Sequence, residues 1–322
     1  MVVGIIGATG LVGQTLVSIL SDSLLPIELR FLTASQRSVG KKIPFRNTIF
    51  TIEDTTEDSL SNPCDVVFIT SSSDVSHHWQ SFLLKKHRWV IDLSSAFRLD
   101  HSVPLLVPDV NANAITRESG WISNPNCSTI QLVKTLFPIH RLWGVRKVIV
   151  STYQSVSGMG QNGIDRLSQE EKGLPAQNAV PLHHTVCPWI GNGSHERMSE
   201  EESKMIQETR KILENPILPV YPTAVRVPVP ISHCESVYLE TDREFRLDSV
   251  RELWRHTPGI VLSESPGLPS QAAGTNDVLI SRIRSLSPNT LQCWVVADNI
   301  RVGSAWNAYQ ILECLAEKGL TG

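Results

Sequence analysis

The first 120 residues alternate between short, continuous apolar runs and longer segments of mixed polarity. Mainly apolar runs occupy residues 2–6, 65–70 and 89–92, a further predicted strand at 27–33 is interrupted by Glu28 and Arg30, and residues 14–20 have a helical pattern. Apolar runs of four to eight residues without polar alternation are typical of strands that are buried on both faces of a parallel sheet. Strands that alternate with helical or loop segments predict a doubly wound, Rossmann-like α/β fold for this part of the chain.

Further predicted elements follow the first 120 residues. An apolar helical stretch covers residues 129–139, and more strand and helix patterns continue to the end of the sequence. A chain of 322 residues also exceeds the size of one ordinary domain, which favours two. The predicted strands are 147–152, 223–229, 236–241, 278–283 and 291–297; the predicted helices are 199–213, 248–256 and 305–316; and residues 258–275 are predicted to form a long loop.

A glycine-rich turn follows the first predicted strand directly. Gly7, Gly10 and Gly13 form a G-x-x-G-x-x-G string that leads into the first helix. Glycines at such a turn allow a tight bend, a close approach of pyrophosphate to the backbone, and close packing of helix on strand. The string by itself is weak evidence for a nucleotide site, because glycine turns between strand and helix are common in proteins that bind no ligand there. Its position between strand and helix favours dinucleotide binding, with the phosphates at the helix N-terminus.

The end of the second strand discriminates between the two nicotinamide dinucleotides. A site for NAD usually carries an acidic residue here for the ribose 2′-hydroxyl, whereas a 2′-phosphate requires arginine and hydroxyl donors. Residues 33–42 contain no acid but include Ser35, Arg37 and Ser38. This composition favours NADP, and the alternative is a solvated basic loop.

Composition and charge exclude several classes of protein. The chain has a net charge of −3, 41% hydrophobic and 19% charged residues, so it has no bulk attraction for nucleic acid or an anionic membrane. Neither a secretory signal nor an apolar stretch of membrane-spanning length is visible, so we expect a cytoplasmic location. The pairs His77-His78 and His183-His184 lack acidic or cysteine partners at useful spacing, so we expect no metal site.

Cys127 is the candidate nucleophile among six scattered cysteines. Cys64, Cys293 and Cys314 lie in apolar strand or helix patterns and are expected to be buried, and no C-x-x-C pair is present. Cys127 lies two residues before the helical stretch 129–139, and a helix N-terminus stabilises a thiolate. A thiol nucleophile in a chain that also carries a dinucleotide loop suggests chemistry through a thioester.

Two further side chains have both structural and functional interpretations. Arg98 follows the strand at 89–92 and could bind a phosphate or carboxylate in a bidentate manner, or pair with Asp100. His233 lies in a predicted turn between two strands, where histidines are more often structural. Cys127 nevertheless needs a proton partner, and among ten histidines His233 has the most site-like surroundings.

Six segments together resemble the aspartate-β-semialdehyde dehydrogenase family, and they occur in unchanged order along the chain. They are residues 7–13, 34–38, 123–129, 151–158, 226–233 and 298–301. The resemblance implies an α/β fold with an N-terminal Rossmann-like NADP-binding domain at 1–126, joined by a C-terminal helix at about 303–322. It also implies an α+β catalytic and dimerisation domain at 127–302 with a mostly antiparallel mixed sheet.

The resemblance also implies a role for each matching residue. Cys127 would be the acylated nucleophile, Gln154 would orient the substrate and His233 would be the general acid and base. The implied substrate contacts are Asn126, Arg226 for the α-carboxylate, Glu202 for the amino group, and Arg98 with Lys204 for phosphate. The implied cofactor contacts are Gly7, Thr9, Gly10, Leu11, Val12, Ser35, Arg37, Ser38, Ser71, Ser157, Gly158 and Asn299.

The expected function is therefore reduction of β-aspartyl phosphate to aspartate β-semialdehyde with NADPH. The expected partners are this small substrate, phosphate and a second copy of the chain, in a homodimer or homotetramer. The chain departs from the family's usual sequence at residues 71–74 and 185–197.

Three alternatives compete with this expectation. N-acetyl-γ-glutamyl-phosphate reductase uses the same thioester logic, but residues 202–204 and 226–233 look more like the aspartyl enzyme. Glyceraldehyde-3-phosphate dehydrogenase also pairs cysteine with histidine, yet it has a different nucleophile segment and usually an acidic second strand. A non-catalytic dinucleotide-binding relative would be expected to lose Cys127, which is present.

Overall fold

The computed structural model describes residues 1–174, 180–191 and 198–321. It divides the chain into two compact units. The first unit combines residues 1–125 with 304–322, and the second unit comprises residues 126–303.

The first unit is built on a six-stranded, fully parallel sheet. The strand order is β5-β2-β1-β6-β7-β8, and every neighbouring pair runs in the same direction. These strands are β1 (Val2–Ile6), β2 (Glu28–Ala34), β5 (Glu53–Asp54), β6 (Val66–Ile69), β7 (Trp89–Asp92) and β8 (Gly120–Ser123), with an antiparallel hairpin of β3 (Lys42–Phe45) and β4 (Thr48–Thr51). The helices are α1 (Leu11–Asp22), α2 (Ser73–Lys86), α3 (Pro108–Asn111) and the C-terminal α9 (Trp306–Glu317).

Both faces of this sheet are covered, which explains the continuous apolar runs. One face packs against α1 and α9, with Leu16 and Ile311 in a cluster that also contains Ile5. The other face packs against α2, where Leu83 joins Val67 in a second cluster. The doubly wound parallel fold predicted from the sequence is confirmed.

The structure adds elements that the apolar pattern does not reveal. The basic segment after β2 is not a simple loop, because residues 36–38 form a 3-10 helix and β3 and β4 follow as a hairpin. Helix α1 begins at Leu11, three residues before the predicted start. The edge strand β8 was missed because its four residues follow a polar stretch and are too few to show a period.

The second unit contains a six-stranded mixed sheet in the order β10-β9-β11-β14-β13-β12. The β9–β10 and β12–β13 pairs are parallel and the other three pairs are antiparallel, so the expected mostly antiparallel mixed sheet is confirmed. The strands are β9 (Val145–Gln154), β10 (Val220–Arg226), β11 (His233–Thr241), β12 (Ile260–Leu262), β13 (Val278–Ser287) and β14 (Thr290–Ala297). The helices are α4 (Cys127–Trp143), α5 (Gln161–Glu171), α6 (Glu200–Ile212), α7 (Leu247–Arg255) and α8 (Pro269–Ala272).

Helix α4 lies on one face of this sheet and contacts β9, β11 and β14. Because side chains alternate along a strand, one face carries His233 and Glu235 of β11 beside Thr152 and Gln154 of β9. The face under α4 is therefore the one on which polar side chains collect.

Two predictions for the second unit were wrong in detail. His233 is the first residue of β11 and not part of a turn, since its strand pairs with β14 from Ala297 onward. The long loop predicted at 258–275 contains β12 and α8. The proline, glycine and serine content of residues 258–275 favoured a loop prediction, and β12 is too short, at three residues, to show a strand pattern.

Among residues 1–174, 180–191 and 198–321, no helix is long and apolar enough to span a membrane. Over the same part of the chain, no group of three or more His, Cys, Asp or Glu residues is placed to hold a metal ion.

The six cysteines fall into two groups. They form no disulfide, and Cys64, Cys293 and Cys314 are buried as predicted. Burial raises the pKa of the Cys64 and Cys293 thiols to about 12. Cys127 and Cys187 are the partly exposed ones.

Candidate active site

The nucleophile candidate occupies the first turn of a long helix. Cys127 is the first residue of α4, and the preceding Asn126 is its N-cap. The Asn126 Oδ1 atom accepts hydrogen bonds from the backbone N–H groups of Ser128 (3.0 Å) and Thr129 (3.2 Å). This cap places the Cys127 side chain at the positive end of the α4 dipole.

Gly303, the last residue of the second unit, allows the chain to pass close to Cys127. A Cβ atom at Gly303 would lie 2.7 Å from the Cβ of Cys127 and 3.0 Å from its Cα. Any side chain at position 303 would therefore displace the nucleophile. No local sequence pattern marks Gly303 as part of the site, because its contact with Cys127 joins residues 176 positions apart.

Glu201 connects Asn126, the N-cap of α4, to strand β9 of the second sheet. Its Oε1 atom accepts a hydrogen bond from Asn126 Nδ2 at 3.0 Å and another from Gln154 Nε2 at 3.1 Å. Gln154 also donates to Thr152 Oγ1 at 3.3 Å, and Glu201 acts electrostatically on Arg226. Residues from α4, β9, β10 and α6 thus meet around one buried carboxylate.

Glu202, which the resemblance implies as the contact for the substrate amino group, makes different contacts from Glu201. Glu202 completes a capping box at the start of α6, where its Oε2 atom accepts from the backbone N–H of Ser199 at 2.8 Å. Its Oε1 atom accepts from the backbone N–H of Ala224 at 3.0 Å. Both oxygens of Glu202 are therefore occupied by main-chain donors.

Lys204, the other residue assigned to this helix, pairs with Glu200 one turn away. The Lys204 side chain is 26% exposed, so it lies at the surface of α6 rather than in its buried face. Residues 185–197, which precede α6, are one of the two stretches that depart from the family's usual sequence. The structure describes this stretch up to residue 191.

Arg226 ends β10 and is nearly buried. Its backbone pairs with that of Cys187, and its Nη1 atom donates to the carbonyl oxygen of Ser155. Burial lowers the pKa of the Arg226 guanidinium, while Cys127, Glu201 and Cys187 act in the opposite direction. A guanidinium remains protonated in any protein environment, so Arg226 is a fixed positive charge beside the thiol and the carboxylate.

His233 has a defined tautomer. Its ring is fully buried, and its Nδ1 atom accepts a hydrogen bond from the backbone N–H of Ser155 at 3.0 Å. Because a backbone N–H can only donate, Nδ1 carries the lone pair and the proton of the neutral ring is on Nε2. Burial, aided by the charge of Arg226, lowers the pKa of His233 to about 3, so the ring is neutral at pH 7.

The Nε2 atom of His233 is buried and has no hydrogen-bond partner among the described residues. A Cβ atom at Gly158 would lie 2.9 Å from Arg226 Nη1 and 3.6 Å from His233 Nε2. Gly158 therefore leaves open the space that these two donors share. A group bound there would meet a guanidinium and an imidazole N–H together.

Asn299 holds the loop that carries Ser155. Its Oδ1 atom accepts from Ser155 Oγ (3.1 Å), Ser157 Oγ (3.0 Å) and the backbone N–H of Ser232 (3.0 Å). Three of the predicted cofactor contacts, Ser157, Gly158 and Asn299, thus lie in the second unit around His233. Their contacts in the structure are with the histidine and its supporting loop.

In the first unit the glycine-rich turn has the close contacts that its spacing predicts. Gly7 has a φ of +91°, and a Cβ there would lie 2.8 Å from the carbonyl oxygen of Thr70. A Cβ at Gly13 would lie 2.3 Å from the carbonyl oxygen of Gly7. Gly10 caps α1 without a side-chain hydrogen bond, so the N–H groups of Leu11 and Val12 point out of the helix end and can bind an anion.

The end of β2 lies beside this turn. Thr9 Oγ1 donates to Ser38 Oγ at 3.1 Å, which joins the glycine turn to the 3-10 helix that Ser35 precedes. Arg37 is exposed within that helix. Ser71, the remaining predicted contact, is exposed two residues after the end of β6.

Arg98 also belongs to the first unit. It is 8% exposed, and it donates from Nε to the carbonyl oxygen of Asn124 at 2.9 Å and from Nη2 to that of Leu93 at 3.0 Å. These bonds tie it to the chain just beyond the carboxyl ends of β7 and β8.

Comparisons with known proteins agree with this architecture. Residues 2–118 match the family model described as "Semialdehyde dehydrogenase, NAD binding domain", and residues 136–302 match "Semialdehyde dehydrogenase, dimerisation domain". Aspartate-semialdehyde dehydrogenase of Aquifex aeolicus is 37% identical, with 99% of this chain and 98% of that protein aligned. The Bacillus subtilis enzyme of the same name is 35% identical over the same shares.

A solved structure gives the same result in three dimensions. The crystal structure of aspartate semialdehyde dehydrogenase II from Vibrio cholerae, complexed with ASA, superposes with a TM-score of 0.92 at 36% identity and covers 98% of each chain. Two family models and relatives aligned over nearly their whole length show that this chain belongs to the aspartate-semialdehyde dehydrogenase family.

Proposed function

We propose that this chain reduces β-aspartyl phosphate to aspartate β-semialdehyde with NADPH, through a thioester on Cys127. The observation that carries the proposal is the connected buried group of the second unit, in which Asn126, Gln154, Glu201 and Arg226 surround the start of α4. A thiol at a helix N-terminus beside a fixed guanidinium is equipped for nucleophilic attack.

The first step is acyl transfer to the enzyme. The Cys127 sulfur attacks the β-carbonyl carbon, a carbon–sulfur bond forms, and the bond to the phosphate oxygen breaks as phosphate leaves. When bound, NADPH supplies the hydride that reduces the thioester carbon. We assign His233 the acid role, in which its Nε2–H donates to the oxyanion that develops on the substrate. Re-formation of the carbonyl then returns the electron pair to the Cys127 sulfur.

Two side chains of opposite charge would hold the amino-acid end of the substrate. Arg226 would bind the α-carboxylate in a bidentate manner, and Glu201 would bind the α-ammonium. Glu201 replaces Glu202 in this role because only its carboxylate faces Arg226 and Gln154. An acid at this position suits a free amino group better than the acetylated amine of N-acetylglutamyl phosphate.

The first unit would bind the cofactor. The cradle formed by Gly7, Gly10 and Gly13 fits a pyrophosphate, because side chains at two of these positions would clash with the backbone. Arg37, with Ser35 and Ser38, would bind the 2′-phosphate and favour NADP over NAD. Arg98 and Lys204 remain the proposed contacts for the leaving phosphate.

We further propose a homodimer that forms through the outer face of the second sheet. Ile149 and Tyr221 are directly paired on β9 and β10 and are 42% and 57% exposed, and Tyr153 packs against Trp294 on the same face. An apolar face of this kind favours a protein partner. The proposed location is cytoplasmic, where the Cys127 thiol stays reduced.

One assay tests the proposal. The purified chain should reduce NADP in the presence of phosphate with aspartate β-semialdehyde, and much more slowly with N-acetylglutamate semialdehyde. Equal rates with the two aldehydes would contradict the proposed substrate. Absence of phosphate dependence would contradict the acyl-phosphate step.

A further inference from the structure

Two polar side chains lie buried next to Cys127 and His233, the proposed catalytic pair, without hydrogen bonds. Gln131 on α4 and Glu235 on β11 are both fully buried. Among the residues that the structure describes, neither the two carboxyl oxygens of Glu235 nor the amide nitrogen and oxygen of Gln131 has a hydrogen-bond partner. Gln131 is nevertheless close enough to act on the pKa of Glu235 as a hydrogen-bonding group. Four such atoms in one place call for an explanation, since buried polar groups are normally paired.

The position of these two residues repeats that of the catalytic pair. Gln131 lies four residues after Cys127 on α4, which places it on the same helix face one turn further along. Glu235 lies two residues after His233 on β11, which places it on the same strand face. Because α4 contacts β11, Gln131 and Glu235 form the next layer of the same helix–strand contact.

The surroundings of Glu235 disfavour a charged carboxylate. Across the sheet it is paired with Thr152 of β9 and Val295 of β14, both uncharged. Burial raises its pKa well above the ordinary value for glutamate. A buried carboxyl group without a cation is stable only as the neutral acid.

The titratable groups around Glu235 do not offset this effect. Burial raises the pKa values of the Cys234 and Cys293 thiols to about 12, so neither thiol carries a charge near pH 7. His233 is neutral. Lys134, three residues beyond Gln131 on α4, is also buried and has an interaction partner.

A protonated Glu235 would satisfy all four atoms at once. The acid O–H can donate to the amide oxygen of Gln131, and the amide N–H can donate to the acid carbonyl oxygen. An ionised Glu235 has no donor, so the amide oxygen of Gln131 would stay unpaired. The pairing therefore requires the neutral acid.

We propose that Glu235 and Gln131 form a buried acid–amide pair that sets the spacing of α4 against β11, and with it the position of Cys127 relative to His233. Both are positioning residues, because neither touches the substrate. The inference rests on the proposed function, since it concerns the geometry in which Cys127 and His233 act on one carbonyl group.

Three variants test the positioning role in the full-length enzyme. Glu235→Gln keeps a donor and an acceptor in the same shape, so kcat for aspartate β-semialdehyde should stay within about twofold of wild type. Glu235→Leu removes both groups, and kcat should fall about tenfold while KM changes less than about twofold, because misplacement affects the reacting atoms more than binding. Val295→Ala is the matched control for lost packing, and it should lower Tm while kcat is retained.

The control distinguishes positioning from general destabilisation. Equal loss of kcat in Glu235→Leu and Val295→Ala would overturn the positioning role, and so would a Glu235→Gln variant as impaired as Glu235→Leu. An inactive wild-type enzyme would instead contradict the proposed function.

A second measurement tests the neutral acid without substrate or turnover. Infrared difference spectra of wild type against Glu235→Gln should show the carbonyl stretch of a protonated carboxylic acid in wild type only. The folded-state pKa of Glu235 is raised, so its protonation stabilises the fold at low pH and this contribution is lost as pH rises. The Tm of wild type should therefore fall relative to Glu235→Gln between about pH 5 and about pH 8. Parallel Tm curves, or no acid band, would overturn the neutral pair.

Discussion

The glycine turn of the first unit and the proposed catalytic pocket of the second are built in different ways. The turn is made of backbone: Gly7 and Gly13 have no room for a Cβ, and the groups that would meet a ligand are main-chain N–H donors. The pocket is made of side chains from distant parts of the chain, joined where Asn126 and Gln154 meet Glu201. A local pattern is enough to specify the first, whereas the second depends on partners that only the fold brings together.

This difference determines which substitutions each region tolerates. The turn is sensitive to added atoms, because a new Cβ must displace a backbone oxygen. The pocket is sensitive to removed partners, because a buried charge or donor that loses its partner costs more than the bond contributed. The following predictions test this contrast.

The largest effect is expected for Cys127→Ser. The hydroxyl is a much weaker nucleophile than the thiolate, and Nδ1 of His233 already accepts a hydrogen bond from the backbone N–H of Ser155. The rate should fall by on the order of 10⁴-fold or more. Steady-state phosphate-dependent NADP reduction measures the loss.

The Cys127→Ser variant should keep its fold and its cofactor site, since both depend on other residues. Its Tm and its Kd for NADPH should match those of wild type. Substantial residual turnover would remove Cys127 from its proposed role, and a lost cofactor affinity would show that the variant had misfolded.

Ser155→Pro should have the next largest effect. Ser155 has a φ of −65°, which proline adopts, so the substitution removes the N–H that donates to His233 while preserving the local backbone. The ring can then hold its proton on Nδ1, and Nε2 loses the hydrogen that the substrate oxyanion needs. We expect kcat to fall about 10²-fold, within the range typical of proton-transfer groups.

Ser155→Ala is the matched control, because it removes the hydroxyl but keeps the N–H. Its kcat should stay within about threefold of wild type. The pKa of His233, lowered to about 3 in wild type, should rise in Ser155→Pro because Nδ1 becomes free to accept a proton. Ring ¹⁵N shifts measured against pH report both tautomer and pKa, and identical shifts in the two variants would contradict the assignment.

Glu201→Gln should weaken substrate binding about 30-fold. Glutamine keeps an oxygen for Asn126 and Gln154 but removes the negative charge opposite Arg226. Loss of one member of a buried charge pair costs about 2 kcal/mol or more, which should appear chiefly in KM for aspartate β-semialdehyde.

The neighbouring acid provides the contrast. Glu202→Ala breaks the capping box of α6 and leaves the Ala224 N–H without its acceptor, so it should lower the free energy of unfolding by about 1 kcal/mol with KM unchanged. If Glu202→Ala raised KM and Glu201→Gln did not, the assignment would revert to the one that the sequence resemblance implied.

The different contacts of Glu201 and Glu202 show where sequence interpretation ends. The strands of the first sheet, the glycine turn and the helix after Cys127 follow from local apolar and glycine patterns. Three adjacent acids at 200–202 look alike in sequence, and only the helix phase of α6 decides which one points inward. The pairing of Ser155 with His233 spans 78 residues, and no local pattern carries it.

Gly13→Ala should lower stability in the first unit. Its Cβ would lie 2.3 Å from the carbonyl oxygen of Gly7, so the turn or α1 must shift, at a cost of about 1–3 kcal/mol in the free energy of unfolding. Gly10→Ala is the control, since its Cβ would come no closer than 3.5 Å to that oxygen. Thermal unfolding should separate the two variants, and an equal drop in Tm would contradict the packing account.

The smallest effect is expected for Arg37→Ala, which tests the exposed edge of the same turn. Arg37 contributes charge rather than packing, so NADP affinity should fall about tenfold while NAD affinity and Tm stay near wild type. Lys42→Ala removes an equal charge from the neighbouring hairpin and should leave both affinities unchanged. Because a 2′-phosphate is the group that distinguishes the two cofactors, equal weakening of both by Arg37→Ala would show that the segment is only a basic surface, and the choice of NADP would then have to come from another part of the first unit.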